Sequence, residues 1–192
     1  MNSLQNKMKT GWIVSGALLG TLLLARKNPT LIRSIWALLP HKKVNNAVSD
    51  VDPATFDVEA YMGSWRQIYR TQNNFQNDAA TSTYAKYTLL DDGVIEVENA
   101  EIVDQTITSA KGIAVPERVG DNTKLLVSFF PPFAGSYQIL ALGPLINNQY
   151  SYALVGSPYS NSFWILARDD LGEEVVNKLQ QKAVSMGFIL DR

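Results

Sequence analysis

Residues 81–100 read T-S-T-Y-A-K-Y-T-L-L-D-D-G-V-I-E-V-E-N-A, and their reading decides the fold class. The run 81–90 is rich in β-branched and aromatic residues, which suit a pleated, half-buried surface. Asp91, Asp92 and Gly93 form a tight-turn signal, and 94–100 answers as a hairpin partner. The same pattern repeats on either side. A segment at 65–71 precedes the hairpin, and segments at 107–115, 123–130, 135–142, 150–157 and 163–168 follow it. Gly120 with Asp121 and Asn122, Pro131 with Pro132, Pro144 with Asn147 and Asn148, and Ser157 with Pro158 punctuate them. Eight segments with mostly short links predict an all-β, eight-stranded antiparallel up-and-down barrel, because closure removes exposed strand edges.

After the last segment the period changes. Val176, Leu179, Ala183 and Met186 fall on one helical face, and the outer wall of the barrel is the surface able to bury it. Asp169 or Asp170 is expected to cap this C-terminal helix, Glu173 and Glu174 suit its positive end, and Gly187 can close it.

The first fifty residues differ. Lys7 and Lys9 precede an uncharged stretch, 10–25, which Arg26 and Lys27 close. As a helix it spans roughly 24 Å at ~1.5 Å per residue, against a hydrocarbon core of ~30 Å. This N-terminal hydrophobic helical extension suits a signal-peptide core or a short anchor with snorkelling basic ends. Arg26, Lys27, Asn28 and Pro29 stand where a small-x-small cleavage site belongs, which favours retention. Basic residues are denser after the stretch than before it, which argues mildly against simple export of the C-terminal part. A second apolar run, 31–39, carries Ile35, Trp36 and Leu38 and suits a membrane interface. Residues 45–57 read as a linker. The expected organisation is a signal or anchor segment with linker at 1–49 and a barrel domain at 50–192. The protein would then be membrane-associated through its N-terminus, or secreted or periplasmic were that segment removed.

Formal net charge is −1, so no basic field exists for holding a nucleic-acid backbone. With no cysteine there is no disulfide, thiolate site or thiol nucleophile, and His41 is the only histidine. A Ser-His-Asp triad in the barrel or a multi-histidine metal site cannot be built. Neither catalytic residues nor a metal or cofactor site is expected. Glu96 and Glu98 alternate on a solvent face, which weakens an acid/base pair.

Gly63, Ser64 and Trp65 open the first strand, and Arg168 ends the last. In a closed barrel those strands pair, so Arg168 can lie across the face of Trp65, a cation–π contact worth ~0.5–2 kcal/mol. Together with Y-M-G-S-W-R-Q-I-Y-R at 61–70, N-N-F at 73–75, Y-T-L-L-D-D-G-V-I-E-V-E-N at 87–99, K-L-L-V-S-F-F-P-P-F at 124–133, Y-S-Y-A-L-V-G-S-P at 150–158, F-W-I-L-A-R at 163–168 and the terminal Gly187 and Phe188, these residues resemble the lipocalins, in the bacterial lipocalin and apolipoprotein D branch.

That resemblance implies a cup open at one end, binding a small hydrophobic ligand of the fatty acid or lysophospholipid class. It also implies that Gly63, Trp65 and Arg168 close the barrel rather than contact ligand. A homodimer is compatible with the family, and nothing in the sequence demands one. Arg66, Gln67, Ile68 and Tyr69 depart from the family's usual Tyr-Glu-Ile-Ala, and Gly143 stands where an aspartate is common. Bacterial members are often anchored through an N-terminal cysteine, which is absent. Isomerase members use a cysteine thiol, which excludes that chemistry here.

Strand alternation predicts the lining. Trp164 and Leu166 share the face of Arg168, and Trp65, Gln67 and Tyr69 share another. Alternation does not choose between Tyr84 with Lys86 and Ala85 with Tyr87, or between Phe129 and Phe130. The expected ligand contacts are Gln67, Tyr69, Phe75, Tyr84, Lys86, Phe130, Tyr137, Ile139, Tyr152 and Trp164. Two other functions fit the pattern: a membrane-anchored structural protein whose barrel is filled by its own side chains, and an enzyme that works without cysteine.

Overall fold

The structure, a computed structural model, describes residues 28–73, 76–131 and 133–190. Two short helices, α1 (Pro29–Leu38) and α2 (Val58–Tyr61), precede the sheet. The strands are β1 (Gly63–Arg70), β2 (Ser82–Leu89), β3 (Ile95–Val103), β4 (Thr106–Pro116), β5 (Lys124–Phe130), β6 (Phe133–Leu142), β7 (Leu145–Ile146), β8 (Gln149–Tyr150), β9 (Tyr152–Gly156) and β10 (Phe163–Ala167), and α3 (Glu173–Ser185) follows. Eight of these strands close into one antiparallel barrel in the order β1-β10-β9-β6-β5-β4-β3-β2. The strands β7 and β8 form a separate small hairpin on the link from β6 to β9. The first and last barrel strands do pair, with Gln67 opposite Leu166.

Local chemistry accounts for the turns. Gly93 has φ +76°, and Asp92 accepts from the Val94 N–H at 3.1 Å. The β3–β4 turn is made by Asp104 and Gln105, both at positive φ, and Asn147 with Asn148 does the same in the β7–β8 hairpin.

The closed end is built on Arg168. Its guanidinium carbon lies 3.7 Å from the centre of the Trp65 ring. Its N–H groups donate to the carbonyls of Met62 and Ser64 at 2.6 Å each and of Tyr61 at 3.1 Å, and the Trp65 indole also donates to Tyr61 O, at 2.9 Å. Gly63 sits at φ +93°, and a Cβ there would come within 3.2 Å of the Arg168 guanidinium, so a side chain would be strained and crowded at once. Burial holds the Arg168 pKa below its ordinary value, an effect partly countered by Tyr61 and Tyr87.

The outer wall carries two helices. Leu179 and Ala183 of α3, with Met186 at its C-cap, pack with Leu140, Leu154, Phe163 and Ile165 on the outside of the sheet, as their spacing predicts. The cap differs from expectation. Gly172 stands at the N-cap with no side-chain bond, and Asp170 instead pairs with Arg66.

The second apolar run also differs. As α1 it lies on the barrel, with Ile32 fully buried among Val94, Ile113, Val115 and Leu126 and with Trp36 against the same cluster. Ile32 and Trp36 are one turn apart, so they form a stripe that the wall of β4 and β5 can bury. His41 stacks on Trp36 at 3.6 Å, and Tyr159 meets that ring edge-on. The stretch read as a linker is tied down as well. Asn45 donates to Ser157 O and Ser160 O, Asn46 N–H to Met186 O, and Asp50 N–H to Leu140 O. The hydrophobic extension at 10–25 lies outside the described residues.

Because α1 buries Ile32 completely, Ile32→Ala is expected to destabilise the protein by about 2–4 kcal/mol. Leu38→Ala, at a residue 83% exposed, should stay within about 0.5 kcal/mol. Urea unfolding of both variants checks this, and equal effects would mean that α1 is not docked.

Candidate functional site

The barrel encloses a cup of about 410 Å3, within the range of small-ligand sites. It is hollow because many inward positions are small. On β4 these are Ala110, Gly112 and Ala114; Ala85 faces inward on β2, and Ala153 with Val155 on β9. A Cβ on Gly112 would lie 2.8 Å from the Phe129 ring, so this glycine makes room for an aromatic wall.

Three zones run from floor to mouth. At the inner end, Tyr61 from α2, Tyr87 from β2 and Tyr137 from β6 bring their hydroxyls together. Tyr61 Oη lies 2.6 Å from Tyr137 Oη, and Tyr87 Oη lies 3.2 Å from it. Tyr61 stacks on Tyr87 with centroids 5.7 Å apart. Burial pushes the Tyr87 phenol up to about 12 and raises Tyr61 and Tyr137 well above the usual value.

The middle is apolar, lined by Ile95, Val97, Leu125, Val127, Val155 and Leu166. Towards the open end Gln76 donates to Gln67 Oε1 at 2.8 Å and accepts from the Trp164 indole at 2.9 Å. Asn99 and Glu101 line the same zone, and Glu101 is the one carboxylate among the described lining residues. Phe130 and Phe133 form an exposed apolar lip, 52% and 66% accessible.

Of the expected ligand contacts, Gln67, Tyr84, Phe130, Tyr137 and Trp164 line the cup, and Trp65, Gly63 and Arg168 occupy the closed end. Tyr69 does not line it. A bulge at Ile68 places Gln67 opposite Leu166 but Tyr69 opposite Ile165, which reverses the alternation and turns Tyr69 outward onto Phe163. Tyr152 also faces outward, opposite Ala167, in the cluster under α3. Lys86 is exposed on the outer face opposite Glu98. Of the two β2 pairs, Ala85 and Tyr87 point in, and Tyr84 touches the cavity while remaining 39% exposed. Both Phe129 and Phe130 contribute. Ile139 faces the interior but is fully packed and does not reach the open volume. Phe75 lies outside the described residues. Glu96 and Glu98 lie outside the cup near Lys111, at 4.0 and 3.7 Å.

Sequence reasoning misses Tyr61, Gln76, Asn99 and Glu101. Tyr61 precedes the first strand and enters through α2, and Gln76 comes from the β1–β2 connection, so strand alternation says nothing of either. Asn99 and Glu101 share the face of Val97, and that parity is the available signal.

Comparison with known proteins places these features in a family. The lipocalin-like domain profile matches residues 56–192. The chain is 34% identical to temperature-induced lipocalin-1 of Arabidopsis thaliana, over 71% of this chain and 76% of that one. It is 31% identical to the outer membrane lipoprotein Blc of Escherichia coli strain K12, over 92% and 90%. It is 33% identical to apolipoprotein D of Bos taurus, over 71% and 74%.

The phenol cluster predicts alkaline sensitivity. An unfolded tyrosine ionises near 10.0, whereas Tyr87 holds its proton to about 12 in the fold. The stabilisation is present in full below pH 10 and is lost as pH rises towards 12, by roughly 3 kcal/mol from Tyr87 alone. Absorbance titration should leave three phenols protonated until the barrel unfolds. Ionisation of all eight tyrosines together near pH 10 in folded protein would contradict the arrangement.

Proposed function

This chain belongs to the lipocalin-like family, and on that premise we propose that it binds and carries a single-chain amphiphile, of the fatty acid or lysophospholipid class, in its cup. The observation that carries this reading is the hollow itself: about 410 Å3 of space with an apolar middle and an open mouth. A packed barrel would have no such volume. The reading is supported by the family, whose members bind small hydrophobic molecules.

Magnitudes agree. Withdrawing ~14 methylenes from water gives ~11 kcal/mol at ~0.8 each. The low end of the association cost, about 4 kcal/mol for a pre-formed site, leaves about 7 kcal/mol, a micromolar-range affinity. The head group would sit at the mouth, beside Gln67, Gln76 and Asn99. There Glu101 suits the cationic part of a zwitterionic lysophospholipid better than a carboxylate. The stretch 10–25 would hold the protein at a membrane, and only Arg26 and Lys27 separate it from the described fold, so the barrel would ride close to the lipid surface.

Titration with a fluorescent lysolipid or fatty acid tests the carrier reading, and saturable binding is expected. Val127→Trp, which fills the middle of the cup, should weaken it by about tenfold or more, since the inserted ring removes the space the chain would occupy. Lys86→Ala, on the outer face, should leave it within about twofold. No saturable signal with either lipid would sink the proposal.

A further inference from the structure

We propose that Tyr61, Tyr87 and Tyr137 form a second polar station at the inner end of the cup, one that takes a neutral hydroxyl carried deep on an apolar ligand. This rests on the carrier reading above and narrows its ligand class.

The hydrogens in the cluster do not balance. Three phenols bring three O–H donors, and each oxygen can also accept. The two contacts among them, at 2.6 and 3.2 Å, use two hydrogens. One donor is left over, with no acceptor among the described residues, together with several lone pairs. All three side chains line the cavity, and they belong to an apolar core that includes Met62, Trp65, Leu125 and Leu166. A polar hydrogen in such a place needs a partner, either water or a ligand atom.

The chemistry of that partner is constrained. A hydroxyl both takes the spare hydrogen and donates its own to a phenol lone pair, so it completes the cluster. A methyl terminus would satisfy nothing. A carboxylate would take one hydrogen and set its second oxygen against lone pairs in an apolar pocket. Arg168 gives an anion there no hydrogen bond, because its N–H groups are directed at the carbonyls of Met62, Ser64 and Tyr61. Its charge does pull Tyr61 and Tyr87 towards ionisation, but burial outweighs that pull. A phenol is protonated at neutral pH even at its ordinary value, and burial raises all three further, so all three are donors.

A ligand with its charged head at the mouth and a hydroxyl at its far end reaches both stations. The test compares ω-hydroxylated with plain fatty acids, from decanoate to hexadecanoate, on the full chain at neutral pH, by displacement of a fluorescent probe. In an ordinary apolar pocket a terminal hydroxyl weakens binding by about tenfold or more. Here, at the chain length that reaches the floor, the ω-hydroxy acid should bind within about threefold of the plain acid or more tightly. Replacing all three phenols, Tyr61→Phe with Tyr87→Phe and Tyr137→Phe, removes every donor and acceptor of the station, and should then weaken the ω-hydroxy acid by about tenfold and leave the plain acid unchanged or tighter. Tyr87→Phe alone keeps the Tyr61–Tyr137 contact and one spare hydrogen, and should weaken it less. Should the triple variant not fold, the wild-type pair decides the matter. A tenfold penalty for the hydroxyl at every chain length in the wild type overturns the proposal, as does a triple variant that weakens both acids equally. Binding of neither acid, with no saturable signal from a fluorescent lysolipid either, would instead remove the carrier reading.

Discussion

The barrel depends on one juncture, the meeting of β1 and β10 over the pair Trp65 and Arg168. A sheet of eight strands has two edges until its first and last strands bond, and open edges invite pairing with other chains. Here the ladder closes through Gln67 and Leu166, and Arg168 holds the end by gripping three carbonyls of the chain entering β1 while covering the Trp65 ring. The same grip fixes α2, because two of those carbonyls belong to Tyr61 and Met62. Since Tyr61 is the first member of the phenol cluster, the residue that seals the barrel also sets the floor of the cup.

Closure does not explain the hollow. A small barrel is normally filled by its own side chains. In this one the large residues of the central wall are sent outward: Leu154, Phe163 and Ile165 lie beneath α3, and Ile113 and Leu126 beneath α1. Several inward positions, among them Ala85, Ala110, Gly112, Ala114 and Ala153, hold alanine or glycine instead. The two outer helices therefore offset the cost of the cavity, since apolar surface lost from the inside of the barrel is recovered on its outside. This is why α1 belongs to the same physical unit as the sheet, although it precedes the residues matched by the family profile.

Much of this is legible in the residues. The hairpin at 81–100, the count of strands, the helix face of α3 and the meeting of Trp65 with Arg168 all follow from alternation, turn chemistry and the rule that an edge must be covered. Legibility fails where alternation is interrupted. The bulges at Ile68 and Leu140 leave no mark that a period-two reading can see, and the first of them turns Tyr69 out of the cup. Tyr152 departs for another reason: an aromatic strand residue need not face the ligand. Its partner Ala167 lies on the face opposite to Arg168, and that parity is visible in the sequence. The turn at Asp104 and Gln105 holds no glycine. The apolar stripe of α1 suits a membrane interface and a barrel wall equally, because both surfaces are apolar and composition cannot tell them apart.

The polar atoms at the inner end of the barrel separate into two kinds. Those of Arg168 and the carbonyls around it are mutually satisfied, and removing any would leave a buried donor or acceptor without a partner, so the stability of the closed end accounts for them. The phenols are different. Phenylalanine at positions 61, 87 and 137 would retain the ring contacts, the stacking of 61 on 87 and the apolar surface, and would spare the desolvation of three hydroxyls that bond only to one another. Stability alone therefore favours the hydrocarbon ring at these positions. The hydroxyls are explained by a ligand entering from the mouth, along a passage whose middle offers no hydrogen bond and whose far end offers one donor and several acceptors.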